Sequence, residues 1–389
     1  MAAITIAAAS TAVKSFNIIG NAKDTINLGI IGTGDRGSGL ITFINEIKGI
    51  QVTACCDILP FRLENGLKRA KGKVSAYKDY RSLLDDKTID AILVAVPFSE
   101  HAHIEMDALE AGKHVYGEKT LAKGYDAIKR LLQKKQNYRN LIFQTGHQYH
   151  SSRLYSAVVK MIKDGKIGKI TAFECQWNRN GNWRRPVPSP DLERAINWRM
   201  YREYSGGLTA ELCSHQIDFA NWVLQETPKE VVGLGGIDYW KDGRETFDNI
   251  HLIYNYASGV KATFMCLTSN AKDDYQIKVM GDKGAIILGY TKAWFYPEDA
   301  SEKRFGDLDG VSGATVQWEE GKGFPISITH EDPSKQALID FRDSINKHEE
   351  PLSDIYTGSK AAIAVQMGLD AMYNKTLINW KTEFNSLLK

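Results

Sequence analysis

From residue 25 to residue 145, short apolar runs alternate with amphipathic stretches. The runs at 27–31, 51–56, 91–96, 114–116 and 141–145 are nearly continuous in apolar residues, as strands buried on both faces are. Between them, residues 38–47, 61–70, 103–111 and 125–135 carry helical periodicity. That rhythm of strand and helix predicts a Rossmann-type, doubly wound parallel sheet, with ligands outside the carboxyl ends of its strands.

After about residue 147 the pattern changes. Helical stretches near 155–163 and 208–224 frame a series of strands at 170–177, 249–256, 260–267, 275–280 and 285–288. Ala257-Ser258-Gly259 separates two of these strands as a hairpin turn would. Residues 335–347 and 359–373 are helical again. The second half therefore reads as α+β, built on a largely antiparallel open sheet. A chain of 389 residues suits two domains. The expected division is a leader over 1–23, a dinucleotide-binding domain over 24–147, and a substrate-binding and oligomerisation domain over 148–389. The last helices of the second domain are available to pack back on the first.

Composition narrows the classes. The sequence holds 49 basic and 47 acidic residues, a formal charge of +2, which gives neither a field for nucleic acid nor a polybasic footing on a membrane. No run reaches the roughly 18 apolar residues of a membrane span. Five scattered cysteines, an odd number without a CxxC pair, argue against a disulfide framework and a structural zinc. Residues 2–13 are apolar and alanine-rich, with no positive residues before them. They read as a truncated or mis-started export signal, which would place the protein in the periplasm; the alternative is an extension of a cytoplasmic protein.

The first strand runs into Gly32-Thr33-Gly34-Asp35-Arg36-Gly37, and a helix follows. Glycines here permit a tight turn and close approach of a pyrophosphate, and the helix start adds positive dipole. Asp57 ends the next strand, where a carboxylate accepts hydrogen bonds from ribose hydroxyls and repels a 2′-phosphate, so NAD is expected over NADP. Val96, Pro97 and His101 follow the next main strand, and Glu118-Lys119 ends the one after. Both points fall where the cofactor should lie. In the second half, Glu211, His215 and Asp218 share a face if the segment is an α-helix. No metal-ligand signature accompanies them, and no metal is expected.

These motifs resemble the Gfo/Idh/MocA family of NAD(P)-dependent oxidoreductases, over nearly everything from Thr25 to Lys375. The matching elements are Gly32 to Gly37, Asp57, Pro97 to His101, Glu118-Lys119, Asp164-Gly165-Lys166-Ile167-Gly168, and Gly206-Gly207 through Asp218. The resemblance implies Glu118 and Gln148 near the cofactor, Lys119 at the substrate, His215 as catalytic histidine, and Glu211 in the place of the family's aspartate. It also implies a homo-oligomer, a dimer or tetramer. Thr120 replaces the proline of the family's Glu-Lys-Pro motif, and Tyr149-His150 stands where many members carry arginine.

The chemistry is coherent on its own terms. Oxidising a secondary alcohol needs a base for the hydroxyl proton, a role for His215, and a cation at the oxygen, a role for Lys119. Glu211 would orient the two. Trp177, Arg179, Trp183, Trp198 and Tyr201, with Tyr149 and His215, offer aromatic faces and planar polar groups for a polyhydroxylated ring. The expected function is NAD-dependent oxidoreduction of a sugar, glycoside or cyclitol. The alternatives are a redox-assisted glycosidase, which oxidises C3, eliminates the aglycone, adds water and reduces again, and a silent NAD-binding sensor.

Overall fold

The computed structural model describes residues 25–298, 323–329 and 331–388; the leader over 1–23 lies outside them. In the first domain the chain runs β1 (Ile26–Ile31), α1 (Asp35–Ile44), β2 (Ile50–Cys56), α2 (Pro60–Arg69), β3 (Ser75–Tyr77), α3 (Tyr80–Leu84), β4 (Ala91–Val94), α4 (His101–Glu110), β5 (His114–Gly117), α5 (Tyr125–Asn137) and β6 (Phe143–Thr145). The sheet is parallel in the order β3-β2-β1-β4-β5-β6. The order reverses between β1 and β4, and that crevice is where this architecture binds dinucleotides. Strand β3 escaped the sequence pattern because Ser75 and Ala76 are exposed, so no apolar run marks it.

The second domain contains α6 (Arg153–Lys163), β7 (Ile170–Trp177), α7 (Glu193–Ile196) and α8 (Ser214–Leu224). Seven strands follow: β8 (Pro228–Gly236), β9 (Asn249–Tyr256), β10 (Lys261–Leu267), β11 (Tyr275–Gly281), β12 (Gly284–Leu288), β13 (Ala293–Pro297) and β14 (Phe324–Ile326). Then come α9 (Pro333–Lys347), α10 (Ile355–Asn374) and β15 (Ile378–Asn379). These strands form one nine-stranded sheet, antiparallel among the described residues except between β7 and β10. Strand β8 has three glycines in its last four residues, and its alternation is too weak to read from sequence. One face of β8 and β9 leaves Val232, Leu234 and Ile253 exposed.

The last helices bind the halves together. Helix α9 starts at an Asp332 cap and completes the first domain's core, with Ala337, Leu338, Phe341 and Ile345 packed among β1, β2 and α1 residues. The Phe341 ring meets Tyr116 edge-on at 5.7 Å, and Gln144 Nε2 donates to the Ala337 carbonyl at 2.8 Å. Helix α10 is capped by Asp354 and accepts the Tyr254 hydroxyl at its Ala364 carbonyl, 2.8 Å away. All five cysteines are buried and free, and the sulfurs of Cys213 and Cys266 lie 3.0 Å apart. Among the described residues, no helix is long and apolar enough to cross a membrane.

Glu105 on α4 is a buried carboxyl with no hydrogen-bond partner at either oxygen. Burial pushes its pKa well above the usual carboxylate range. The unfolded chain therefore loses this proton at lower pH than the folded one, and stability falls as pH rises through that window. Glu105→Gln keeps the shape and removes the titration. Its melting temperature should match the parent near pH 4 and exceed it progressively toward pH 8, by about 1–3 kcal/mol in denaturant titrations. A difference independent of pH would contradict the assignment.

Candidate active site

The strand ends of the first domain, the start of α1 and the loop between β7 and α8 enclose a cleft of about 860 Å³. The glycine-rich turn forms one end. Gly32 has φ of +90° and sits where a Cβ would collide with the Ala95 carbonyl. Gly37 lies against the Gly32 carbonyl, which lets α1 pack directly on the turn. At Gly34 a Cβ would meet nothing closer than Arg62 at 3.6 Å, so the space over the start of α1 is open for a phosphate group.

Asp57 is buried beside this turn, with Oδ2 accepting the Thr33 amide at 2.8 Å and Oδ1 accepting the Leu59 amide at 2.9 Å. The Thr33 hydroxyl donates to the Arg62 carbonyl at 2.8 Å. Each carboxylate oxygen keeps a second acceptor position, and Asp57 faces the cleft. Arg62, Lys78 and Arg81 line the same end.

Arg36 lines the cleft at the glycine-rich turn and is also tied to other elements. Its Nε donates to Glu118 at 2.7 Å and its guanidinium also reaches Ser334 Oγ at 3.1 Å, so it ties α1 to the end of β5 and to α9. Asp35 instead points outward and pairs with Arg185 across the mouth of the cleft at 3.0 Å. His101 is buried with Nδ1 at the Thr120 carbonyl (2.9 Å) and Nε2 at the Val96 carbonyl (3.0 Å). The neutral ring donates one hydrogen bond to one of these carbonyls, which ties the segments after β4 and β5 together, and His101 lines the cleft with Val96 and Pro97. Gln148 lines it too, with Oε1 buried and lacking a protein partner.

The segment 208–224 is not one α-helix. Thr209–Cys213 form a π-helical turn, and the α-helix begins at Ser214. A widened turn interrupts the regular ladder and frees carbonyls for other donors. Here Lys119 Nζ donates to the Glu211 carbonyl at 2.9 Å and the Thr120 hydroxyl to the Ala210 carbonyl at 2.9 Å. These two bonds draw the first domain's Glu-Lys-Thr segment, whose Lys119–Thr120 peptide is cis, onto the second domain. Glu211 thus meets Lys119 through its main chain. Its carboxylate accepts from Arg199 Nε at 3.0 Å and from Ser205 Oγ at 3.3 Å.

His215 is buried at the cleft wall, with rings of Tyr149 (5.1 Å), His147 (5.7 Å) and Trp177 (5.8 Å) around it. Its Nδ1 has no protein partner. Burial, and then the charges of Lys119, His147 and Arg36, hold its pKa well below the ordinary imidazole value. Burial likewise lowers Lys119, opposed by Glu211 and Glu118. Asp218 does not join this group. It accepts from His150 Nε2 at 2.8 Å, one turn further along α8. Among the described residues, no three His, Cys, Asp or Glu side chains are grouped to hold a metal ion.

The loop proposed for substrate divides. Trp198 lines the cleft, with the Arg199 guanidinium 4.2 Å from its ring centroid. Tyr149, stacked on Tyr155 at 4.3 Å, and Trp177 are buried behind His215 and support it. Arg179 sits 5.5 Å from the Trp177 ring and 5.9 Å from that of Trp183, outside the cleft lining. Tyr201 also lies outside it and donates its hydroxyl to Glu193 at 3.1 Å, within a strap that joins Arg184, Glu193 and Asp242. Arg199, within the segment read for substrate, lines the cleft, whereas Arg194 and Tyr204 were missed as lining residues. No local motif marks them; they reach the cleft only because the loop folds over it.

A dinucleotide-binding sheet whose strand ends face a second domain's lysine-linked helix across a cleft is the architecture of NAD-dependent oxidoreductases. The chain belongs to the Gfo/Idh/MocA family. Residues 26–147 match the family's NAD-binding Rossmann fold and residues 155–287 its C-terminal domain. The inositol 2-dehydrogenase of Salmonella typhimurium is 27% identical over 209 residues, 53% of this chain and 57% of that protein. The chain thus matches little more than half the length of such relatives. The 2,7-anhydro-N-acetylneuraminate hydratase of Escherichia coli is 25% identical over 87% of this chain and 92% of its own length. A levoglucosan dehydrogenase solved with NADH and levoglucosan shares the fold, with a TM-score of 0.73 at 19% identity, covering 92% of this chain and 99% of the other.

Proposed function

We propose that the protein is an NAD-dependent oxidoreductase acting on a secondary hydroxyl of a sugar, glycoside or cyclitol. The observation that carries this reading is the convergence of Lys119 and His215, from different domains, on the wall of one cleft with the glycine-rich turn. The residues fit the cofactor. Gly34 leaves room at the start of α1, Asp57 offers acceptors for ribose, and the orphaned Gln148 Oε1 awaits a donor. When bound, NAD supplies the acceptor for the hydride that leaves the substrate carbon. Lys119, fixed by the Glu211 carbonyl, presents its ammonium to the substrate oxygen and stabilises charge there. His215, neutral because burial depresses its pKa, takes the hydroxyl proton. Trp198 offers a flat face to the ring, and Arg199 pairs with the Glu211 carboxylate.

The family resemblance and the exposed Val232, Leu234 and Ile253 on the open sheet support a homo-oligomer joined through that face. Residues 2–13 keep the export reading as the basis for a periplasmic location.

The redox-assisted glycosidase stays as the second reading, favoured by the hydratase that aligns over 92% of its own length. One experiment separates the two. The protein is incubated with glycosides and free sugars, with and without added NAD. Stoichiometric NADH marks a dehydrogenase, whereas aglycone release without net NADH marks the alternative. Neither product from any sugar or cyclitol would reject both.

Cofactor choice gives a further prediction. A 2′-phosphate beside Asp57 would place like charges about 4 Å apart, at a cost on the order of 1–4 kcal/mol. NADH should bind at least tenfold more tightly than NADPH in fluorescence titrations, and Asp57→Ser should narrow that ratio mainly by weakening NADH. Tighter NADPH binding by the parent would show that Arg62, Lys78 and Arg81 outweigh the carboxylate.

A further inference from the structure

A second cavity, about 780 Å³, opens beside α8 and is lined by residues further along that helix than His215. Its wall includes His150, Asn221, Trp222, Lys163, Lys360 and Trp380. Three observations point to a ligand. First, two buried side chains of this wall have an unused polar atom, Asn221 Nδ2 and His150 Nδ1. Asn221 spends its oxygen on the Tyr256 hydroxyl at 2.8 Å, and His150 spends Nε2 on Asp218 at 2.8 Å. Second, two tryptophans are held in place. The Trp222 ring stacks on His150 at 4.2 Å, and Trp380 Nε1 donates to Asn385 at 2.9 Å. Third, Lys163 and Lys360 bring donors to the same wall.

The chemistry selects a class. Asn221 Nδ2 can only donate, whereas His150 Nδ1 accepts when the ring is neutral. A hydroxyl meets both needs, because it donates and accepts at once. Indole faces suit the C–H face of a saturated ring, and ammonium groups suit its rim oxygens. We propose that this cavity is a binding site for a polyhydroxylated ring, a sugar or cyclitol, separate from the catalytic cleft. The ligand class comes from the cavity's own groups and goes beyond the proposed activity. The site shares α8 with His215, which lies three residues from Asp218 on the same helix.

The probes are myo-inositol and D-glucose, titrated to about 10 mM, which would mostly fill a site with a Kd near 1 mM. Binding is followed by calorimetry and by tryptophan fluorescence on the full chain saturated with NADH. At least one probe should bind saturably. Asn221→Asp, which keeps the acceptor for Tyr256 but removes the donor, should weaken binding at least tenfold. Trp380→Ala, at the rim, should do the same, with NADH affinity and melting temperature unchanged. Lys119→Ala should leave this binding intact. The proposal is overturned if neither probe binds, if both cavity variants bind as the parent does, or if Lys119→Ala alone abolishes binding, which would place the ring in the catalytic cleft.

Discussion

Lys119→Ala and His215→Ala each lower the rate of substrate oxidation by about 10²–10⁴, the usual cost of losing a positioned acid–base group. NADH binding should hold and both variants should remain folded, because neither side chain carries the glycine-rich turn. Both act on one proton transfer, so the double variant should fall well short of the product of the single losses. The pH profile adds an independent check. A base works deprotonated, and His215 is held well below the ordinary imidazole value by burial and by Lys119, His147 and Arg36. The oxidation rate should therefore stay level as pH falls through 6.5 and drop only well below it. Near-normal rates in both single variants, or an acid limb at 6.5, would remove His215 from the role of base.

Gly37→Ala should weaken NADH binding about a hundredfold, or roughly 2–3 kcal/mol, the range of overpacking in tight cores. The new methyl would fall on the Gly32 carbonyl, so α1 would have to shift away from the turn. Arg36 rides on that helix, so its 2.7 Å bond to Glu118 would loosen as well. Gly39→Ala, two residues on and with no atom within 4 Å of its Cβ, is the control and should bind NADH normally. Equal effects of the two changes in a fluorescence titration would show that helix propensity, not the close approach, sets affinity.

The parallel sheet was legible because β1, β2, β4 and β5 are dense apolar runs with helical stretches between them, and period alone identifies such elements. Glycines at 32, 34 and 37 and the carboxylate at 57 were legible because their chemistry depends on local spacing. Strand β3, only three residues long, carries too little pattern. The partners of Arg36 and Glu211 were not legible, for a different reason. Arg36 meets a residue 82 positions away, and Lys119 reaches the Glu211 carbonyl across 92. Side-chain identity announces a capacity to bond, but the partner is chosen by tertiary packing. His101 shows the same limit, since nothing in its neighbourhood in sequence says that both nitrogens face carbonyls. The interruption at Thr209–Cys213 was invisible because a π-helical turn has no residue signature of its own, and helical periodicity was extended straight through it.

That widened turn also governs how the gene can change. A π-helical turn closes i→i+5 bonds and so holds one residue more than an α-helical turn; removing one residue from Thr209–Cys213 would restore a regular helix and keep the residues after it close to their present faces. His215 and Asp218 would stay near their partners, but the carbonyls that hold Lys119 and Thr120 would be taken back into the helix. Single-codon deletions within these five positions should therefore loosen Lys119 and lower activity, whereas the same deletion among open-surface positions such as Ala271 and Lys272 should be tolerated. The extra residue of this turn, more than the identity of any one side chain in it, keeps the two halves of the enzyme joined.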